Sequence, residues 1–182
     1  MGIFTLGSLT TVAAAERPDL LGPTVLAELE RLGLLDAVGV VGIDAVMSDT
    51  ASTREHYGLD LHTLANCVVV SGKRDGVEKM AACLIPATTR ADVNGIVRHE
   101  LDVRKASFLS QDRAVELTGM EPGGITPIGL PEGWPVFVDD AVINTGLVMI
   151  GSGVRRSKLI VRGADLVAFP AVRVIAGLGK GD

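Results

Sequence analysis

The stretch "TGMEPGGITPIGLPEGWPVFVDDAVI", residues 118–143, places Gly119, Gly123, Gly124, Gly129 and Gly133 among Pro122, Pro127, Pro131 and Pro135, between a helical segment and a strand. An ordinary turn needs one or two such residues. Proline fixes φ and glycine lacks a Cβ, so a segment rich in both either holds a rigid, non-repetitive path or brings its backbone close to something else.

The flanks of this stretch set its context. Upstream, "KASFLSQDRAVEL" leads to a helix that Ser110 can cap and that runs through Thr118. Downstream, "PVFVDDAVI", "LVMIGSG" and "SKLIVR" are three strand-like runs before a closing "DLVAFPAVRVIAGL". Further upstream, a helix is predicted over about 91–101, and "NCVVVSGKRDGVEKMAACLIPA" shows two β-rich runs around a charged turn, a hairpin pattern. Its "SGK" lacks the spacing of a phosphate-binding loop, so the turn reading prevails. Residues 18–33 form an amphipathic helix opening on Pro18 and closing at Gly33, and "VGVVGID" is a short strand. "SDTASTREHYG" carries a short helix capped by Asp49 or Thr50 and stopped at Gly58. Short helices among hairpins predict an α+β fold, and argue against a doubly wound parallel sheet.

The chain of 182 residues suits one domain, with a core large enough to need no disulfide or metal staple. Hydrophobic residues make up 47% and aromatics 3%, so the core is aliphatic and little aromatic surface remains for stacking nucleobases. The net charge of −5 is uneven: residues 1–65 carry −6, 66–150 carry −3, and 151–182 carry +4. The C-terminal end can therefore meet a polyanion, although a solvated face of Arg155, Arg156, Lys158 and Arg162 explains the charge equally well. Cys67 and Cys83 lie in apolar runs, as buried free thiols do, and suit a reducing compartment. The N-terminus lacks the basic region of a signal peptide, Leu6 breaks a myristoylation pattern, and no uncharged apolar run reaches 18 residues. A cytoplasmic protein without a membrane segment is expected.

Several familiar constellations are missing. His56, His62, His99, Cys67 and Cys83 are scattered without ligand spacing, so no metal is expected, and neither GxSxG nor GxGxxG occurs, so no cofactor is either. Asp139 and Asp140 fall on a predicted strand whose successive side chains point to opposite faces, so at most one faces a pocket. What remains is two glycine-rich segments, 119–129 and 151–153. Successive exposed backbone N–H groups can bind an anion or oxyanion, and tight turns explain the same glycines without a ligand.

Taken together, "NCVVV", "RKASFLSQDRAVELTG", "GGITPIGLP" followed by "VFVDDAV", and the late "GSGVRRSKLIV" resemble the YbaK/prolyl-tRNA-synthetase-associated editing domain, a family of aminoacyl-tRNA deacylases. The resemblance covers about residues 41–177 of a single domain, with residues 1–40 as an appended region. It implies a mixed, mostly antiparallel curved sheet or partial barrel with short flanking helices. It also implies that the Gly/Pro loop lines a pocket for the aminoacyl acceptor end of a tRNA, with an aminoacyl-tRNA synthetase as a further partner. In that reading Gly123, Gly124 and Ile125 supply backbone contacts, Thr126 a hydroxyl, and Pro127 and Gly129 a rigid wall. Asp139 matches the family's strand aspartate, while Ser152, Gly153 and Lys158 match the second pocket edge, and Lys158 with Arg155 and Arg156 reaches the 3′ phosphates.

One position departs from the pattern. Where the family usually carries a lysine, the aligned stretch "LANCVVV" has Asn66, whose amide offers neutral hydrogen bonds in place of a full charge. Lys73 and Lys79, in or beside the hairpin turn, are poorly placed to substitute, and Cys67 falls on the opposite face from Asn66. Two functions follow: a deacylase in which Asn66, Gly123 and Gly124 carry the chemistry, or a silent module that binds an aminoacyl group, amino acid or nucleotide.

Overall fold

The computed structural model describes residues 3–181; Gly2, the residue an N-terminal acyl group would need, lies outside them. Thr5–Leu6 (β1) pairs with Leu9–Thr10 (β2), and Val12–Ala13 (β3) follows. The helix expected to open on Pro18 starts later: Pro18–Leu20 is a single tight turn, Leu21 and Gly22 are extended, and helix α1 (Pro23–Leu32) opens on its own proline and ends where Gly33 adopts left-handed backbone, φ 69°. Its inner face buries Val25 and Leu29 completely. After β4 (Gly39–Gly42), helix α2 (Thr50–Tyr57) is capped by Asp49, whose carboxylate accepts from the Ser52 N–H, and it stops at Gly58.

The longest hairpin joins β5 (Ala65–Arg74) to β6 (Val77–Pro86). Its two-residue turn, Asp75-Gly76, has positive φ at both positions (52° and 80°), the backbone that Asp-Gly favours and whose twist matches the strands. Pairing therefore runs up to the turn, and the charged "SGKR" is strand. Strand β7 (Arg90–Ala91) follows, and the helix expected over 91–101 is a π-helical turn, Val93–Val97, running into α3 (Arg98–Glu100). Asp92 opens that turn by accepting from the N–H groups of Gly95 and Ile96. Next come β8 (Lys105–Phe108) and α4 (Gln111–Thr118), which Ser110 caps and Gly119 ends, both as expected. The run expected to be one strand through Ile143 divides into β9 (Val136–Asp139) and α5 (Asp140–Asn144), because the Asp139 carboxylate accepts from the Ala141 N–H and starts a helix. Strands β10 (Leu147–Gly151), β11 (Ser157–Arg162), β12 (Val172–Ile175) and β13 (Gly179–Lys180) complete the chain.

The α+β class holds, with the larger strands divided between two sheets. The five-stranded sheet has the order β12-β9-β6-β5-β8, parallel at β6–β9 and β9–β12 and antiparallel elsewhere. The four-stranded sheet, β10-β11-β4-β3, is antiparallel throughout. Ala82, Leu84, Val136 and Val138 share one core with Val40, Ile150 and Leu159 of the smaller sheet and with α1. Ala81, Cys83, Ile85 and Phe137, alternating with them, pack on the other face against Val97 and Leu178. Burial of both faces explains why β6 and β9 read as continuous apolar runs. It also pushes the Cys83 thiol up to about 12 and raises that of Cys67, so neither is a ready nucleophile. The N-terminal segment is built into this core through α1 and the β3–β4 pairing.

Candidate functional site

Glu121-Pro122-Gly123-Gly124 forms a type II turn: proline second, Gly123 third with φ +78°, and the Gly124 N–H donating to the Glu121 carbonyl at 2.9 Å. Gly124 then lies against the other glycine-rich segment. The Gly153 N–H donates to the Gly124 carbonyl at 2.7 Å, and the Glu121 N–H donates to the Gly153 carbonyl at 3.0 Å. A Cβ on Gly124 would sit 2.6 Å from the Val154 nitrogen. The Gly22 N–H, at the start of α1, adds a bond to the Ser152 carbonyl at 2.8 Å. The density of glycine and proline thus serves a rigid contact of backbone on backbone.

Beside this junction is a small cleft of about 30 Å³. Its walls are Ser48, Thr50 and Thr53, Leu64 and the first residues of β5, Ala65 and Asn66, the end of β10 from Met149 to Gly151, and Lys158 on β11. A parallel bridge between Leu64 and Met149 ties the two sheets together at this point. Lys158 is only 9% exposed, and its Nζ donates to the Gly123 carbonyl at 2.8 Å. Burial, helped by the positive charge of Arg155, lowers its pKa to about 8, with Asp49 opposing the shift. Asp49 itself is held below the usual carboxylate range by the Ser52 N–H. Across the cleft, Asn66 Oδ1 accepts from the Thr50 hydroxyl at 2.9 Å, which leaves the amide NH2 as a donor.

Among the residues expected to form the site, the structure brings Asn66, Gly123 and Lys158 together. The Gly124 N–H, expected to face a substrate, is held by Glu121, because the turn that positions Gly123 consumes it. The N–H groups of Gly123, Ile125 and Thr126 make no backbone hydrogen bond among the described residues. Ile125 lies behind the cleft wall, its carbonyl close to Gly151, and Thr126 is fully buried with no partner for its hydroxyl. Pro127 and Gly129 border a different groove, formed with Trp134 and Phe169. Ser152 is buried, and its hydroxyl bonds the Val154 and Ser157 carbonyls and the Ser157 hydroxyl. Gly153 belongs to the backbone junction. Arg155 is exposed and braces the loop, its guanidinium donating to the carbonyls of Pro122 (3.3 Å) and Ala45 (3.4 Å).

Asp139 lies apart from the cleft. Its buried carboxylate accepts from the Ala141 N–H at 2.8 Å and from the Gly179 N–H at 2.6 Å, tying α5 to the C-terminal segment. Asp139→Ala is expected to cost about 3 kcal/mol in a urea titration, the loss of two charge-assisted bonds. The matching Asp139→Asn protein is expected to leave the amide NMR signals of the cleft residues Asn66 and Lys158 in place; a shift there while it remains folded would return Asp139 to the site.

Sequence reasoning missed Ser48 and Thr50. The available signal was the "SDT" tripeptide, read for its capping aspartate alone, whose two hydroxyl residues flank that cap and line the cleft. Among the described residues no group of three or more His, Cys, Asp or Glu is placed to hold a metal, and no helix is long and apolar enough to cross a membrane.

A family model described as an aminoacyl-tRNA editing domain matches residues 45–169. No curated protein matches the sequence. Among solved structures, a protein put forward as a trans-editing enzyme for prolyl tRNA synthetase superposes with a TM-score of 0.74 at 20% identity, covering 88% of this chain and 97% of its own. The hypothetical protein APE2540 superposes with a TM-score of 0.73 at 22% identity, covering 86% of this chain and 99% of its own. At these identities the likeness is one of fold.

Proposed function

The chain belongs to the aminoacyl-tRNA editing domain family, and from that premise we propose that it is a trans-editing deacylase hydrolysing the ester of a mischarged tRNA. The observation that carries this reading is the pairing of a buried ammonium, Lys158, with the oriented amide of Asn66 across one small cleft. Water adds to the ester carbonyl carbon, and the C–O bond to the ribose breaks. The amino acid leaves as its carboxylate and the tRNA regains its hydroxyl. An ester has a good leaving group, so the protein has to place the water and supply donors to the oxygen that becomes negative. Lys158 and the Asn66 NH2 are those donors, and Lys158 gives the site a full charge that Asn66 lacks. The Gly123 carbonyl holds the ammonium until the substrate takes its place. A cleft this small discriminates by excluding larger side chains. The partners in this reading are the acceptor end of an aminoacyl-tRNA and, in the cell, an aminoacyl-tRNA synthetase.

A second reading, a module that binds an aminoacyl group, amino acid or nucleotide without turnover, is favoured by Asn66 and by the engaged Gly124 N–H. Deacylation time courses with tRNAs charged with Ala, Ser, Cys and Pro separate the two. Wild type is expected to hydrolyse at least one of them, and Asn66→Ala to do so about tenfold more slowly, the loss of one neutral or weakly polarised donor. Silence of wild type on the whole panel, with activity appearing only in Asn66→Lys, would establish the binding module.

A further inference from the structure

We propose that the groove leading from Asn66 to Phe108 and Arg90 seats the 3′-terminal nucleotides of the tRNA, with a base stacked against the Phe108–Arg90 pair. This rests on the editing reading and extends it from the scissile ester to the nucleotides beyond. The cleft, about 30 Å³ in volume, leaves no room for a ribose and base, which must lie outside it. Asn66 stands on a lip shared with a second groove of about 440 Å³. This groove shares Arg90, Ala91 and Phe108 with a further hollow of about 600 Å³ that ends at Lys180. The hollows around Trp134 and around Val167 share no lining residue with the cleft.

The groove has the chemistry of a single strand of nucleic acid. Asn66 and Val68 alternate onto one face of β5 and line the groove with Ile85 opposite Asn66, with Ala87 and with Phe108, while Thr88, Thr89 and Arg90 give it a polar side. Aromatic residues are scarce, and Phe137 and Phe169 are buried in the core, yet Phe108 is half-buried at the groove. The Arg90 guanidinium lies 5.0 Å from the centre of its ring. Stacking on an aromatic face with an arginine close by accepts any base, and the cation serves the phosphate. Lys180 is paired with Asp92 at 2.6 Å, whereas Arg90 rests over the Phe108 ring and makes no ion pair among the described residues, so no carboxylate competes with a phosphate for it.

The test uses a single-stranded RNA trinucleotide ending in adenosine, titrated into the intact protein and followed by amide NMR, alongside steady-state kinetics on the best charged tRNA. Shifts are expected at Thr88, Thr89, Arg90 and Phe108. Arg90→Ala and Phe108→Leu, which leave the cleft untouched, are each expected to weaken binding about tenfold and raise KM about tenfold while kcat stays within twofold. Shifts confined to the Arg155–Arg156 side, or unchanged affinity in both variants, overturn the proposal while leaving deacylation intact. Loss in Arg90→Ala with none in Phe108→Leu overturns the stacked base, since charge alone then explains the binding. RNA bound in the groove of a protein that hydrolyses no charged tRNA keeps this proposal and sinks the editing reading.

Discussion

Replacing Lys158 with methionine is expected to slow deacylation about a hundredfold and to raise the melting temperature. The first effect is the loss of one preorganised donor at the developing oxyanion. The second follows from burial. Lowering the ammonium's pKa from 10.5 to about 8 corresponds to about 3 kcal/mol carried by the folded state at neutral pH. Below pH 8 both folded and unfolded chains hold the proton, and the penalty is present in full. Between pH 8 and 10.5 the folded chain releases the proton while the unfolded chain keeps it, so stability rises with pH across that window. Methionine fills the space without the charge and forfeits the bond to Gly123, leaving a net gain of about 1 kcal/mol, or a few degrees. In wild type, enzymic deacylation should fall as pH rises through about 8, once spontaneous hydrolysis is subtracted. Lys158→Arg, which stays charged, should lack that fall. A Lys158→Met protein that melts lower than wild type and deacylates at the wild-type rate would remove the lysine from the mechanism.

Gly124→Ala is expected to destabilise the fold by about 3 kcal/mol, lowering the melting temperature by about 10 °C, and to abolish the cleft's activity. The new methyl would meet the Val154 nitrogen at 2.6 Å and its carbonyl carbon and oxygen at 2.8 Å. All three are backbone atoms, which cannot rotate aside as a side chain would. The two loops must separate, breaking the Gly153-to-Gly124 hydrogen bond and moving the Gly123 carbonyl away from Lys158. Gly146→Ala, at a position with nothing within 4 Å, supplies the comparison and should melt within about 2 °C of wild type. Equal melting of the two alanine variants would show that the loops do not meet as described.

Much of the fold was legible because its signals are local. Ser110 and Asp49 announce their caps, Gly33, Gly58 and Gly119 their helix ends, and Asp75-Gly76 its turn. The exceptions have physical causes. Asp139 sits on an apolar run that reads as strand, and only its bond to the Ala141 N–H, a choice of side-chain direction, ends the strand there. The 91–101 segment has helical periodicity, but Asp92 accepts from two N–H groups at once and opens a wider turn. The site was less legible, because the cleft joins residues that no spacing rule connects. Lys158 and Asn66 lie on different sheets, and strand alternation on β11 alone does not say that Lys158 turns towards Gly123. The glycines were noticed for the right reason, a close backbone approach, and the neighbour they approach is the protein itself.

The junction of Gly22, Gly124 and Gly153 also governs when the cleft can exist during synthesis. Segments from the start, middle and end of the chain meet there, and the nearby bond from the Ser157 hydroxyl to the Leu20 carbonyl spans 137 positions. A nascent chain whose leading half has emerged has α1 and the β5–β6 hairpin but not the strand that carries Lys158. The cleft is therefore closed only once β10 and β11 have left the ribosome, and a chain cut short of them lacks the wall that carries Lys158.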